Sequence, residues 1–358
     1  MNKYVKKTIS KKLENNMKEN IAIYGAYGHT GKFIVSELYR QGYKNIVLSG
    51  RDEQKLKTLQ KQYPDAAIKA ADIHDAASLD NAFSNAKIIV NCAGPYLDTA
   101  EPIIKSALRL GSHYIDLTAE QKPVLDIFEQ FSEQARKDQI LIIPAAAFYG
   151  GLGDLLSTAI TNDWNETEEI NIYIGLDSWH PTKGTRLTGE RNHYKRLIFK
   201  DKLLQEFEAK PAIKWDFKKP IGVKEIIALP LSEIITISRH LNVKNITTYL
   251  SQNSLEELRN ENTPEPKPVD KKNRSSQQFT IEVTASNQNT TRSITAKGQD
   301  IYAVTAPLVV EAINRILSGR INKTGVTTMG EVFEASDFLE SLNADDITIS
   351  SVIESVNI

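Results

Sequence analysis

The sequence predicts an α/β protein, in which a Rossmann-type doubly wound parallel sheet is followed by a second α+β domain that contains a mostly antiparallel sheet. Short β-rich runs alternate with helical patterns of about 10 to 15 residues between residues 20 and 144, which is typical of βαβ units. Beyond residue 153 the strand patterns are longer and alternate polar with apolar residues, which indicates an antiparallel sheet with one solvated face.

The chain divides into four predicted parts. They are a basic tail (1–18), a Rossmann domain (19–150), a second α+β domain for substrate binding or dimerisation (151–325), and a C-terminal segment that returns to the Rossmann domain (326–358). The tail lacks an apolar h-region, so we expect a solvated extension or an over-long start, with Met17 near the true beginning. The stretch near 254–277 is rich in Pro, Glu, Lys and Asn and is predicted to be a flexible insertion.

Composition narrows the class of protein. The 358 residues are 41% hydrophobic and 25% charged, with a formal net charge of -1, so no global basic field favours nucleic acid. No apolar run reaches the roughly 20 residues of a membrane span. Cys92 is the only cysteine, which excludes a disulfide framework and a cysteine-rich zinc site and fits a cytoplasmic protein. We expect a small-molecule substrate and no metal, and a homodimer is a candidate assembly.

The first predicted strand, residues 21–24, runs into a glycine loop that opens a helix. Such a turn makes an anion site, because the unpaired N–H groups of the helix start point at the ligand. The spacing G-x-x-G-x-x-G is looser than the Rossmann fingerprint, so a purely structural glycine turn remains an alternative. We predict that a dinucleotide binds to Gly25, Tyr27, Gly28, His29, Thr30 and Gly31.

The second predicted strand ends at Ser49, Gly50 and Arg51, twenty residues beyond Gly31. This is where an acidic residue binds the ribose of NAD or an arginine binds the 2′-phosphate of NADP. Arg51 favours NADP(H) as the cofactor, because its guanidinium suits a phosphate. Asp52 follows directly, so NAD(H) is a less favoured alternative, and Arg51 capping a solvated strand end is another.

The next two predicted strands end in further candidate cofactor residues. Asp72 and Ile73 close the third strand, where the adenine edge is expected. The fourth strand closes beside the expected nicotinamide, at Asn91, Cys92, Ala93, Gly94 and Pro95.

Three residues near these strand ends are candidates for catalysis. Tyr96 is either a proton donor or a wall of the nicotinamide pocket, and Glu120 is either a general base or a capping or hinge residue. Tyr149 either contacts substrate or packs in the core. In the second domain, Arg186 and Arg191 are candidates to bind a substrate carboxylate, with a solvated helix face as the alternative.

Several motifs in order resemble the saccharopine dehydrogenase-like family. They are GAYGHTG, SGR, VNCAGPY, GSHYIDLTAE and IIPAAAFYGGLGDLL, and fainter similarity continues in KGQDIYAVTAPLVVEAI and GVTTMGEVFEASDFL. The resemblance implies a Rossmann domain that prefers NADP(H), a second domain, and reductase or dehydrogenase activity. Its members include saccharopine reductases and trans-acting enoyl reductases.

The chain departs from that family at two places. Tyr27 and His29 stand where relatives often carry Thr and Tyr, and the segment PAAAFYGGLGD replaces the commoner P-x-x-G-F-D type. The second change lies where substrate is expected, so no particular substrate carries over, saccharopine included. The leading hypothesis is an NADP(H)-dependent oxidoreductase that transfers a hydride to or from a small molecule held between two domains. The alternative is an NADP(H)-binding regulator without turnover.

Overall fold

The computed structural model describes residues 18–288, 290–342 and 347–356. The predicted basic tail, apart from Lys18, lies outside the described residues, as does the proposed start at Met17.

The first part of the chain alternates strands with helices. The strands are β1 (Asn20–Tyr24), β2 (Ile46–Gly50), β3 (Ala67–Ala70), β4 (Ala86–Asn91), β5 (His113–Asp116) and β6 (Leu141–Ile143). The helices are α1 (His29–Arg40), α2 (Glu53–Gln60), α3 (Ala76–Phe83), α4 (Tyr96–Leu110) and α5 (Gln121–Lys137). The strands read as apolar runs because helices cover the sheet on both faces, and Ile21, Ala22 and Ile23 are all fully buried.

These strands form a parallel sheet of Rossmann order. The order is β15-β6-β5-β4-β1-β2-β3, where β15 (Gly325–Val326) is supplied by the far end of the chain. Because β1 lies between β2 and β4, the direction of winding reverses beside β1. Ligands of open α/β sheets bind outside the carboxyl ends of the strands at such a point.

The second sheet holds ten strands of the described chain, in a mixed arrangement. Its strands are β7 (Thr167–Leu176), β8 (Leu197–Lys200), β9 (Leu203–Glu206), β10 (Ile213–Asp216), β11 (Val223–Ala228), β12 (Val243–Ser251), β13 (Gln278–Ser286), β14 (Thr290–Gln299), β16 (Ile347–Ile349) and β17 (Ile353–Val356). Only the β7–β12 pair is parallel. The predicted fold class, a Rossmann-type sheet with a second, mostly antiparallel domain, is therefore confirmed.

The remaining helices pack this second sheet against the first part of the chain. They are α6 (Gly151–Thr161), α7 (Lys183–Arg191), α8 (Glu233–Ser238), α9 (Gln252–Arg259), α10 (Thr305–Ser318), α11 (Met329–Val332) and α12 (Ala335–Leu342). Helix α10 packs on α1, and Asn314 of α10 hydrogen-bonds Tyr43 and Gln41 just after α1. Helix α7 differs from the others of its length because none of its residues is buried.

Two sequence-based expectations concern these elements. Strand β15 does pair with the Rossmann sheet, but α11 and α12 pack on α6 and α10, and the last two strands extend the second sheet along β14. The expected insertion near 254–277 begins with a regular helix, α9, in which Ser254 and Leu255 are buried. The mobility of the stretch that follows α9 stays a prediction.

Candidate functional site

A cleft of about 1490 Å³ lies between the carboxyl ends of the parallel strands and the second domain. It is larger than the roughly 300 to 1,000 Å³ of a pocket for one small ligand, and so has room for a dinucleotide and a further molecule. One side is formed by the glycine loop and the ends of β2, β3 and β4, and the other by residues 147–149, α7 and residues 301–305.

The glycine loop has the geometry of a phosphate cradle. Gly25 has a left-handed φ of +78°, which lets the chain turn directly from β1 toward α1. A Cβ at Gly31 would collide with the Gly25 carbonyl oxygen, and one at Gly28 would lie 3.0 Å from the same atom. Gly28 precedes α1 without a side-chain cap, so the first N–H groups of α1 face the cleft uncapped.

The end of β2 carries positive charge. Arg51 and Lys55 both line the cleft and are exposed. The Asp52 carboxylate accepts the Lys55 backbone N–H at 3.1 Å as the N-cap of α2 and pairs with the Lys55 ammonium at 3.2 Å, and both contacts lower the pKa of Asp52. Because that acid is engaged by the helix, the pattern favours binding of a phosphate over an unmodified ribose. Tyr27 covers Gly50 from the cleft side, and the Lys55 ammonium lies 5.5 Å from its ring centroid.

The other predicted cofactor residues divide into two groups. Most line the cleft: Gly25, Tyr27, Gly28, His29, Thr30, Gly50, Arg51, Asp72, Ile73, Cys92, Ala93, Gly94 and Pro95. Ser49, Asn91 and Gly31 instead lie buried behind it. Asn91 accepts the Ala93 N–H and donates to Thr99 and Tyr114, so it shapes the loop after β4 from within.

A buried carboxyl continues this inner network. The Tyr114 hydroxyl donates to Asp116 at 3.0 Å, and Asp116 also accepts backbone N–H bonds from Thr118 and Ala145. Burial raises the pKa of Asp116 to about 6, although those bonds lower it. Asp116 thereby fixes the ends of β5 and β6 beneath the cleft.

The catalytic candidates at the Rossmann side have different positions. Tyr96 lines the cleft as the first residue of α4, and burial holds its pKa well above the ordinary value, so the phenol keeps its proton. Glu120 does not line the cleft. It is buried at the start of α5, which raises its pKa to about 7, with Tyr96 and Arg196 nearby.

Tyr149 lies in an aromatic wall formed by Phe148, Tyr149, Trp179 and Tyr302. The Tyr149 ring centroid is 5.0 Å from that of Phe148 and 5.7 Å from that of Trp179, and the Trp179 indole N–H donates to the Tyr302 hydroxyl at 3.0 Å. The Tyr149 hydroxyl is buried and has no hydrogen-bond partner among the described residues. Burial raises its pKa well above the ordinary value, so it is a neutral donor near pH 7.

His29 joins the glycine loop to the aromatic wall. Its ring meets that of Tyr302 edge to face, with 5.2 Å between centroids. Its Nε2 atom is buried and, within the described residues, unpartnered. Burial lowers the pKa of His29, so the ring is neutral near pH 7.

The arginines predicted to bind a substrate carboxylate are not brought into the cleft. The Arg186 guanidinium donates to the carbonyl oxygens of Leu258, Asn260 and Thr263, which ties α7 to the segment after α9. Arg191 pairs with Asp98 at 2.9 Å, which ties the other end of α7 to the start of α4. Their role in substrate binding finds no support in these contacts.

Several residues of the cleft were missed by sequence reasoning. They are Trp179, Tyr302, Thr188 and Lys55, and the first three have no local pattern that marks them. Lys55 alone carried a signal, since it lies one turn beyond Arg51 at the start of α2. A Cβ at Gly94 would lie 2.7 Å from the Thr188 hydroxyl, so α7 closely approaches the loop after β4.

A further buried carboxyl, that of Glu233, bonds the backbone next to the aromatic wall. Glu233 is 1% exposed and accepts the Gly150 backbone N–H at 3.1 Å, directly beside Tyr149. Burial raises its pKa to about 7, against smaller lowering effects that include Arg196.

The donor set of the cleft fits the phosphates of a dinucleotide. The glycine cradle, the uncapped start of α1, Arg51 and Lys55 provide what a pyrophosphate and a 2′-phosphate require. In the described parts of the chain, no group of three or more His, Cys, Asp or Glu residues is arranged to hold a metal ion. No described helix is both long and apolar enough to span a bilayer.

Comparison with known protein families finds a match for the first domain. Residues 21–142 match the family model described as the saccharopine dehydrogenase NADP binding domain. The resemblance expected from the motifs is thus confirmed over this part of the chain, and the preference for NADP(H) agrees with the description of the model.

Curated relatives carry related names. A Caenorhabditis elegans lipid droplet localized protein is 25% identical over 185 residues, 47% of this chain and 43% of the relative. A mouse saccharopine dehydrogenase-like oxidoreductase is 26% identical over 165 residues, 41% of this chain and 38% of the relative. A Mycobacterium bovis trans-acting enoyl reductase is 28% identical over 134 residues, which are 36% of this chain and 32% of the relative. The matched stretch spans less than half the length of each of these relatives.

The fold of the whole chain has a solved counterpart. The apo saccharopine dehydrogenase (L-Glu forming) from Saccharomyces cerevisiae superposes with a TM-score of 0.64 at 11% sequence identity, over 95% of this chain and 100% of that one. At this identity the likeness concerns the fold alone.

Proposed function

We propose that the protein is an NADP(H)-dependent oxidoreductase that transfers a hydride to or from a small molecule held between its two domains. The observation that carries this proposal is the continuity of the cleft, which runs from a phosphate-binding glycine loop to an aromatic wall that holds an unpaired buried hydroxyl. The names of the relatives, which include oxidoreductases and an enoyl reductase, support the same class.

The residues of the Rossmann side hold and orient the cofactor. The glycine loop and the start of α1 bind the pyrophosphate, Arg51 and Lys55 bind the 2′-phosphate, and the loop after β4 lies beside the nicotinamide. When bound, the nicotinamide supplies or accepts the hydride.

The protein must also supply a proton. When a carbonyl carbon takes up a hydride, the electron pair of its π bond moves to the oxygen, which then needs a proton. Tyr149 is the best-placed donor, because its hydroxyl is protonated, buried and unpaired within the described residues. Tyr96 is the second candidate, since it lines the cleft beside the loop after β4.

A matched pair of variants tests this function. NADPH oxidation is followed against a panel of ketones, imines and enoyl compounds, and NADPH affinity is measured separately by nicotinamide fluorescence. Tyr149→Phe should lower kcat by a factor of about 10² to 10⁴, the range of a lost general acid, while Kd for NADPH stays within about twofold. If Tyr96→Phe shows that loss instead, the donor is Tyr96.

The alternative function has its own signature. Tight NADPH binding without oxidation of NADPH by any acceptor, and without reduction of NADP⁺ by the corresponding alcohols, amines and saturated compounds, would favour the NADP(H)-binding regulator.

A further inference from the structure

The part of the cleft beside Tyr149 is lined by aromatic rings, by Leu187 and by threonine side chains, of which Thr185 bonds both Thr182 and the Tyr302 hydroxyl. Phe148, Tyr149, Trp179 and Tyr302 form one side, and the polar atoms of two of these rings are paired in the Trp179–Tyr302 hydrogen bond. Helix α7 contributes Leu187, whose side chain lines the cleft at 50% exposure. An apolar surface of this kind is stabilised by a ligand that removes it from water.

Among the described residues, no buried cation lines this part of the cleft. The Arg186 guanidinium donates to three backbone carbonyl oxygens, and the Arg191 guanidinium pairs with Asp98. Arg196 donates to the Pro230 carbonyl oxygen and does not line the cleft. The charged residues that do line it are all exposed or half-buried, where water screens them: Lys32, Arg51, Lys55, Asp72, Asp98, Lys183 and Glu265.

This arrangement disfavours a carboxylate close to the reacting carbon. A carboxylate that leaves water for an apolar wall loses its hydration, and the loss is offset only where a guanidinium or ammonium pairs with it. An uncharged carbonyl group can be bound in the same place by a single hydrogen-bond donor, without a cation. Tyr149 Oη and His29 Nε2 are the buried atoms of the cleft that lack a partner among the described residues.

We infer that the substrate is an uncharged apolar compound, an aliphatic or aromatic body with a single carbonyl or conjugated enoyl group, rather than an amino acid or an oxo acid. This inference rests on the proposed function for the reaction, but the binding preference can be measured without turnover. In the reduction of a ketone, the hydride from NADPH forms a new C–H bond, the C=O π pair becomes the O–H bond with a proton donated by Tyr149, and NADP⁺ is released.

A pair of ligands of equal length tests the preference. Decanamide and decanoate have the same chain and differ in charge, and neither can accept a hydride readily. Each is titrated into the protein saturated with NADP⁺, with binding followed by calorimetry. We expect decanamide to bind at least tenfold more tightly. Equal or tighter binding of decanoate, or no binding of decanamide at millimolar concentration, would overturn the inference.

A pair of lysine variants locates the effect. Leu187→Lys places an ammonium at the mouth of the aromatic part and should shift the preference toward decanoate by about tenfold. Leu203→Lys is the matched control, because Leu203 is 64% exposed on β9 and does not line the cleft. Its preference should equal that of the wild type. An equal shift in both variants would show that general charge, and not the aromatic wall, sets the preference.

Turnover separates this inference from the proposed function. Preferred reduction of 2-oxo acids over uncharged ketones of equal length would overturn the substrate class and leave the oxidoreductase assignment intact. Decanamide binding with no turnover of any acceptor would overturn the oxidoreductase assignment and leave the ligand class standing.

Discussion

The two halves of the cleft are built by different means. At the carboxyl ends of β1 and β2, the backbone defines the site, through three glycines, the uncapped start of α1 and a short cationic stretch around Arg51. Beside the aromatic wall, side chains from distant parts of the chain define it, including Tyr149, Trp179 and Tyr302. A backbone-built site tolerates little change in one short segment, whereas a side-chain-built site can be altered one residue at a time. The first half is therefore suited to one fixed ligand, and the second can change its ligand by single substitutions.

The most damaging change should be Gly28→Val. A Cβ at Gly28 would lie 3.0 Å from the Gly25 carbonyl oxygen, which would have to move by a few tenths of an ångström, and the branched side chain would reach into the space of the phosphate cradle. We expect more than about 100-fold weaker binding of both NADPH and NADH, which corresponds to about 2.8 kcal/mol or more. Nicotinamide fluorescence titration measures it.

Gly189→Val is the control for this change. Nothing lies within 4 Å of a Cβ at Gly189, which is exposed on α7. Cofactor affinity should be unchanged there, and thermal melts should show both variants folded. Retained NADPH affinity in a folded Gly28→Val protein would mean that the glycine loop is only a turn.

The carboxyls of the two halves should respond differently to pH. Asp52 at the cofactor half has a lowered pKa at the surface, whereas Glu233 behind the aromatic half is buried with its pKa raised from 4.5 to about 7. A raised carboxyl pKa means that stability is fully present below about pH 4.5 and is lost as pH rises through about 7. For Glu233 this loss amounts to about 2 to 3 kcal/mol.

Glu233→Gln should remove this share of the pH dependence. Glutamine keeps an oxygen for the Gly150 N–H but cannot ionise, so the free energy of unfolding should fall less between pH 5 and pH 8 than in the wild type. Urea unfolding at several pH values measures it. Some dependence remains, because Glu120 and Asp116 also have raised pKa values. Glu133→Gln, on the exposed face of α5, should follow the wild type, and a Glu233→Gln curve parallel to both would show that Glu233 does not titrate in this range.

Arg51→Ala tests the cationic end of the cofactor half alone. Arg51 can form two charge-assisted bonds with a 2′-phosphate, and because it is exposed we expect a loss of about 1.4 to 2.8 kcal/mol, or tenfold to hundredfold in Kd for NADPH. NADH lacks that phosphate and should bind as before. Lys57→Ala, which removes a charge from α2 away from the cleft, should change neither affinity. Equal weakening of both cofactors by Arg51→Ala would make the arginine structural.

The difference between the halves also explains which parts of the cleft could be predicted from the sequence. Glycine turns, strand ends and Arg51 are local signals, and so the cofactor half could be predicted in outline. Asn91 lies behind the cleft and does not line it, and the sequence could not show this because a strand buried on both faces has no alternation that tells which side chains face the ligand. Asn91 instead bonds Thr99 and Tyr114 within the protein.

The aromatic half could not be predicted because its members meet only through tertiary packing. Trp179 and Tyr302 stand 123 positions apart in the chain and are joined by one hydrogen bond. Arg186 is of a residue type that binds carboxylates, but its guanidinium donates to backbone carbonyl oxygens at the end of α9 and just after it. No sequence pattern marks those residues as partners of Arg186. Tyr149 was singled out, yet only the structure shows that its hydroxyl lacks a partner among the described residues.

The smallest effect is expected where the halves are joined across the cleft, at the Arg191–Asp98 pair. Both side chains are substantially exposed, at 59% and 36%, so Arg191→Ala should cost less than about 1 kcal/mol of global stability. Helix α7 has no buried residue, so even this small loss should loosen it locally, seen as faster amide hydrogen exchange over 183–191 with unchanged exchange in β1 and β4. The charge-swapped pair Arg191→Asp with Asp98→Arg should restore slow exchange. Exchange that stays slow in Arg191→Ala would show that the contacts of Arg186 and Thr188 hold α7 in place without the ion pair. The two halves of the cleft would then depend on each other more than their separate backbone and side-chain contributions suggest.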